Sequence, residues 1–269
     1  MKNRNLHFSL VAAVLFLLIA ACAIPGQTLP AVPAIDPGAV QTSIAGTAQA
    51  AQTQTAIVPI VAVTPSAGTT GTLIEQAADG TTQYTDFNGG FEIVFPAGWL
   101  ALRPNSDEFT AALANEGAVN SMLYEQMTAD QAGYEAGFDR LFSYVLRPDI
   151  QKDALFGFSK LALDPEDTMF IDNFTMGELV KELEGSGGIP GFRANVVQLR
   201  EDTAVRMIEI GGRWSMSDGQ GGTIPFYTTI IFFKPASDSL VRLTFTYLQD
   251  YEAQIAADVR AIIASIKLI

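Results

Sequence analysis

The sequence predicts an α+β sandwich, with a curled antiparallel sheet covered by helices. Three observations predict it. Residues 193–199, 204–214, 223–234 and 240–248 are strand-like, rich in β-branched and aromatic side chains. Their joints are short, at Glu201-Asp202, Asp218-Gly219 and Ser237-Asp238. Such joints permit antiparallel neighbours only, since a parallel return needs roughly a dozen residues or more. The chain then closes on Tyr251, Ile255, Val259, Ile262 and Ile266, which lie on one helical face.

The elements before this meander follow from the same periodicities. Phe91-Glu92-Ile93-Val94-Phe95 alternates as a half-buried strand does, Pro96-Ala97-Gly98 turns the chain, and 99–102 reads as a second short strand. Phe109, Ala112 and Leu113 predict a short helix. Tyr134, Phe138, Leu141 and Val145 keep a 4-3-4 spacing that predicts another, ended by Pro148. Residues 156–163 and 169–171 read as strands. Thr175-Met176-Gly177-Glu178 fits a capping box, with Leu179 and Leu183 on one face and Gly185 closing the helix. Within the last strand, Val241, Leu243, Phe245 and Tyr247 share one face and Arg242, Thr244 and Thr246 the other. Asp250 is placed to cap the final helix.

The start of the chain has a different character. Met1-Lys2-Asn3-Arg4-Asn5 is cationic, an apolar run follows from near Phe8, and Ile19-Ala20-Ala21 precede Cys22, the one cysteine of the sequence. A basic start, a short apolar run and small residues describe a secretory signal over residues 1–21. With cysteine next, the segment resembles a bacterial lipoprotein signal, which implies cleavage before Cys22 and a diacylglycerol on its sulfur. Ala23 follows, not the aspartate that retains some lipoproteins at the inner membrane. Each buried methylene contributes about 0.8 kcal/mol, so two or more acyl chains would hold the protein on a membrane.

Residues 22–72 are dominated by Ala, Thr, Gln, Pro, Val and Gly, with Asp36 as the sole charge and no aromatic side chain. Such a stretch buries too little apolar surface to offset chain ordering and reads as a tether. As a flexible coil of about 50 residues it would reach roughly 40 Å. Both tryptophans, all tyrosines and every phenylalanine but Phe8 and Phe16 lie beyond it, which sets residues 73–269 as the folded domain.

Composition restricts the chemistry. The 269 residues carry 16 basic and 29 acidic side chains and one histidine; removing residues 1–21 would take Lys2, Arg4 and His7, for a net charge of −15 and no histidine. That balance repels nucleic acid and anionic lipid surfaces. Ser-His-Asp and Cys-His catalysis, and zinc sites built on His or Cys, lack their ligands.

Several segments invite a site reading. Asp164, Glu166, Asp167 and Asp172 offer the oxygen density calcium favours, but without the spacing or the glycine of an EF-hand, so a solvated acidic loop is the simpler reading. The glycine-rich run 185–191 could approach an anion, yet it follows a helix instead of opening one and reads as a connector. Residues 218–222 read as a hairpin tip. Ser159 and Lys160 are adjacent strand residues and point to opposite faces. A glycosidase-type carboxylate pair at roughly 5–9.5 Å stays open among so many acids. Trp99, Trp214 and the stripe from Tyr134 to Val145 read as core; an exposed stripe would be a docking surface.

The segment from Phe91 to Trp99, the late strand meander and the closing Ala264-Ser265-Ile266-Lys267 resemble PsbP-like and DcrB-like proteins over residues 84–102 and 192–269. That resemblance implies an α/β/α sandwich, often exported and lipidated, with no shared catalytic site; residues 105–155 are longer and more helical than its usual pattern. The expectation is a membrane-anchored extracytoplasmic lipoprotein with a non-catalytic interaction or support domain, no cofactor, an envelope protein partner and no nucleic acid. A ligand- or calcium-binding module is the alternative, and a carboxylate hydrolase the third reading.

Overall fold

The computed structural model describes residues 71–115, 120–146, 157–218 and 221–269. The signal at 1–21, Cys22, nearly all of the tether and Pro148 lie outside the described residues.

Two antiparallel sheets form the frame. Thr72–Gln76 (β1), Thr82–Asp86 (β2) and Phe91–Phe95 (β3) pair in sequence, and Lys267–Leu268 (β11) closes on β3, for the order β1-β2-β3-β11. The larger sheet takes Trp99–Leu102 (β4), Asp139–Val145 (β5), Gly157–Asp164 (β6), Arg193–Arg200 (β7), Met207–Ser217 (β8), Thr223–Phe233 (β9) and Leu240–Leu248 (β10). Their order is β4-β5-β6-β10-β9-β8-β7, antiparallel at every step. Helices α1 (Asp107–Asn115), α2 (Ser121–Ala132), α3 (Asn173–Glu184) and α4 (Glu252–Ser265) complete the described architecture.

The period-2 pattern of the strands decides which side chain meets which layer. One face of the large sheet carries Trp99, Leu141, Leu161, Phe233, Val241, Leu243 and Phe245, packed with Tyr84, Phe91, Ile93 and Phe95 of the small sheet and with Ile255, Val259, Ile262 and Ile266 of α4. Ser265 fastens the end of α4 to β3, accepting a hydrogen bond from Val94 N at 2.8 Å and donating to Val94 O at 3.2 Å. The opposite face holds two smaller cores. Leu102, Phe142 and Tyr144 pack under Phe109 of α1 and Leu123 and Met127 of α2. Ile208, Ile210, Ile230, Phe232 and Phe192 pack under Met176, Leu179, Val180 and Leu183 of α3. The result is an α+β sandwich, as the sequence predicts.

The expected strand 91–95, the turn at Gly98 (φ +89°), strand 99–102 and the closing meander are all present. Several expectations need correction. The spacing of Tyr134, Phe138, Leu141 and Val145 does not mark a helix: α2 ends at Ala132, Gly137 turns the chain at φ +90°, and Leu141 and Val145 belong to β5. Residues four apart share a face in a strand as well as in a helix, so the spacing was ambiguous, and the run Leu-Phe-Ser-Tyr-Val favours a strand. Residues 169–171 are not a strand; Met169 and Ile171 are irregular chain tucked under α3. That helix starts earlier than the capping box implied. Asp172 is the N-cap, its carboxylate accepting from Thr175 N at 2.8 Å. Asp250 does not cap α4, since it sits within a 3-10 turn over Gln249–Tyr251 and the helix begins without a side-chain cap. Strands β1 and β2 precede the first strand read from sequence, and Trp214 is half-buried, stacked on Phe226 at 4.8 Å rather than sealed in the core.

Candidate functional site

The polar site of this domain lies where β1, the end of β4 and the start of β5 meet. The pairing of β5 with β6 slips between Asp139 and Leu141. A bulge of this kind re-aims side chains, and here it places neighbouring charged residues in different settings. Asp139 is buried, accepts from Lys160 Nζ at 2.8 Å and from the Glu135 backbone N–H at 2.9 Å, and Lys160 also lies 5.6 Å above the Phe142 ring.

Arg140 reaches toward Asp86, which is fully buried at the end of β2. The Asp86 carboxylate accepts from Gly89 N at 2.7 Å and from the Tyr84 hydroxyl at 3.2 Å. The Arg140 Nε stands 3.8 Å away, too far for a hydrogen bond, and is the one buried side-chain polar atom without such a partner among the described residues. A buried donor left unmade costs about 1–3 kcal/mol, which the attraction of the nearby Asp86 carboxylate partly offsets. Burial, reinforced by the neighbouring Asp86 charge, pushes the Tyr84 hydroxyl far above its ordinary range, so it donates and does not ionise.

Arg103 forms the other wall. It pairs with Glu108 and donates to Thr72 O at 3.2 Å. Burial works against the Glu108 charge, but the Arg103 hydrogen bond, with backbone and Ser106 donors, holds its carboxyl below the usual range. Ser106 starts α1, its hydroxyl accepting from Phe109 N at 3.1 Å and donating to Arg103 O at 2.7 Å. Beside it Asn105 takes a left-handed backbone at φ 54°, a conformation uncommon outside glycine that asparagine tolerates best. Arg103, Asn105, Glu108, Tyr134, Asp139 and Arg140 line an open pocket of about 430 Å³, within the size range of small-molecule sites. Two guanidinium forks and flanking carboxylates equip it for recognising polar groups.

A second polar group joins α2 to β5. Asp130 accepts from the Tyr144 hydroxyl at 2.8 Å and from Gln126 Nε2 at 2.9 Å. Burial raises its carboxyl to about 6 against those two hydrogen bonds, which favour the charged form.

The acids singled out from sequence stand apart. Asp164 accepts from Glu166 N at 3.0 Å, Asp167 from Met169 N at 2.6 Å, and Asp172 from Thr175 N at 2.8 Å. Each carboxylate stabilises its local turn or helix start, and among the described residues no group of three His, Cys, Asp or Glu side chains is placed to hold a metal. The Ser159 hydroxyl pairs with Ser143 at 2.6 Å while Lys160 meets Asp139, on opposite faces of β6. The glycine run 185–191 connects α3 to β7, and Gly222 N donates to the Asp218 carboxylate at 2.8 Å at the β8–β9 hairpin. Cys22 lies outside the described residues. Sequence reasoning passed over Asp86, Asp130, Asp139 and Arg140; charged residues at the rims of apolar alternating segments were the available signal.

No family model matches the chain, and no curated protein matches it. Solved structures do resemble it. The solution structure of cyanobacterial PsbP (CyanoP) from Synechocystis sp. PCC 6803 aligns at 10% identity and TM-score 0.44, over 72% of this chain and 95% of that one. LpqN, involved in cell envelope biogenesis of Mycobacterium tuberculosis, aligns at 11% identity and TM-score 0.38, over 73% and 90%. The Saccharomyces cerevisiae Ran-binding protein Mog1p aligns at 10% and TM-score 0.39, over 74% and 96%. At these values the likenesses establish neither a family nor an activity. Among the described residues no helix is long and apolar enough to cross a membrane.

Proposed function

We propose that this chain is a membrane-anchored extracytoplasmic lipoprotein whose folded domain is a non-catalytic interaction or support module for an envelope protein partner. The observation that carries the proposal is the run Ile19-Ala20-Ala21-Cys22 at the end of a cationic-then-apolar leader, followed by a nearly uncharged tether. Lipid on Cys22 would fix the chain at a membrane, and the tether would let the domain reach partners standing off the bilayer. The lack of histidine after residue 7 leaves the folded domain without imidazole-based acid–base catalysis. Fractionation tests the reading. Cys22→Ala should move the protein from the membrane to the soluble fraction, and the N-terminal peptide of the native protein should carry a diacylglycerol mass on Cys22. Membrane retention unchanged by Cys22→Ala, or an unmodified thiol with the leader attached, overturns it.

A second reading, a ligand-binding module, is favoured by one observation, the unsatisfied Arg140 Nε beside the 430 Å³ pocket. A ligand present at about 100 times its Kd would add roughly 2.7 kcal/mol to stability. A thermal-shift panel of metabolites and calcium therefore decides it, and no shift across the panel dismisses it.

A further inference from the structure

Phe170 and Phe174 are the two most exposed large apolar side chains among the described residues, at 75% and 77%. Their exposure is not a failure of local packing. Asp172 caps α3 between them, while Ile171 before the cap and Met176 in the first turns tuck into the core under the helix, an arrangement that directs the flanking phenylalanines outward. Gly177 lies three residues after Phe174 and so borders it on the helix surface. A Cβ built on Gly177 would meet nothing within 4 Å. A glycine inside a helix destabilises it relative to alanine, and nothing in the folded domain requires one here. Two displayed rings and the bare Gly177 thus fall within one short segment at the start of α3.

Charge selects what fits it. Between residues 164 and 182 there are six carboxylates, Asp164, Glu166, Asp167, Asp172, Glu178 and Glu182, and one lysine, Lys181, which pairs with Glu178 at 2.7 Å. Lys234 and Arg206 approach from the side: Lys234 Nζ donates to Asp167 O at 2.9 Å, and Arg206 lies near enough to Asp172 to help hold its carboxyl below the usual range, after the stronger effect of the Thr175 backbone N–H. The segment keeps an excess of negative charge. A second copy would bring the same acids face to face, and an anionic bilayer would repel them.

We infer that Phe170, Phe174 and Gly177 form a docking surface for a protein partner that offers an apolar face flanked by lysine or arginine. This rests on the interaction-module reading above and names the chemistry of its partner. The rings would pack on the apolar face, the acids would match its cationic flanks, and Gly177 would let the partner backbone come close.

The test uses the mature chain from residue 22 with its tether, carrying Cys22→Ser so that it needs no detergent. The probes are an amphipathic helical Lys/Leu peptide, a Glu/Leu counterpart, and phosphatidylcholine/phosphatidylglycerol vesicles. Expected results are binding of the Lys/Leu peptide that weakens at least tenfold in Phe170→Ser/Phe174→Ser and several-fold in 0.5 M salt, with none for the Glu/Leu peptide. Gly177→Gln provides a variant that folds at least as well, with an unchanged or higher Tm, yet binds the peptide more weakly. Equal binding of both peptides, no binding, vesicle binding that depends on the two phenylalanines, or a dimer that they abolish overturns the inference. Binding that survives Phe170→Ser/Phe174→Ser removes this surface while leaving the interaction reading intact. The anchoring itself is judged separately by Cys22→Ala fractionation.

Discussion

Asp130→Asn should make the protein more stable at neutral pH, with a gain that vanishes in acid. Burial raises the Asp130 carboxyl from 3.8 to about 6 despite hydrogen bonds from Tyr144 and Gln126. The folded state therefore holds a proton there that the unfolded chain releases earlier. The stability linked to this group is fully present below about pH 4 and is lost as pH rises through about 6, because folding must then keep a charge in a half-buried site. A tenfold change in proton affinity is about 1.4 kcal/mol, which sets a ceiling of about 3 kcal/mol. Water reaching the half-buried side chain reduces the expected cost to about 1–2 kcal/mol. Asparagine, like the protonated acid, keeps one acceptor oxygen, for Gln126, can donate its amide N–H to the Tyr144 hydroxyl oxygen, and never ionises. Urea unfolding of both proteins at pH 4, 5, 6 and 7.5, followed by tryptophan fluorescence, should show the variant gaining about 1–2 kcal/mol at pH 7.5 and nearly nothing at pH 4. Tyr144→Phe removes a donor to the charged form and should shift the titration to higher pH. A difference between Asp130→Asn and wild type that is the same at every pH refutes the reasoning.

Three further outcomes follow from packing and capping. Phe245→Ala, in the face shared by the large sheet, the small sheet and α4, should cost about 3–5 kcal/mol in chemical denaturation. Gly212→Ala would drive a methyl group into the Phe192 ring and the Arg193 carbonyl, so a loss of about 1–3 kcal/mol is expected, and an unchanged denaturation midpoint would contradict the close approach. Asp172→Ala removes the N-cap bond to Thr175 and should cost about 1 kcal/mol, with faster amide exchange confined to the first turn of α3.

Legibility varied with how many physical signals agreed. Leu240–Leu248 was readable in full because alternation, β-branched content and turn residues at both ends gave the same answer, and its register with β9 and β6 carries Val241, Leu243, Phe245 and Tyr247 into one core. The segment from Tyr134 to Val145 misled because residues four apart share a face in both helix and strand. Asp250 and Thr175 show a different limit. Each has a side chain suited to capping, but which residue starts a helix depends on where the chain enters the core, and for α3 the tucked Ile171 and Met176 moved that point to Asp172.

Composition and local pattern alone determined the antiparallel meander and carry the proposals of a leader over residues 1–21 and a tether over 22–72, because each depends on residues adjacent in the chain. Only the tertiary structure decided that the strands divide into two sheets, that Asp86 and Arg140 meet across 54 positions, and that Phe170 and Phe174 stay outside while Ile171 goes in. Those outcomes depend on which faces are left to pack once the sheets have closed, and no window of neighbouring residues contains that information.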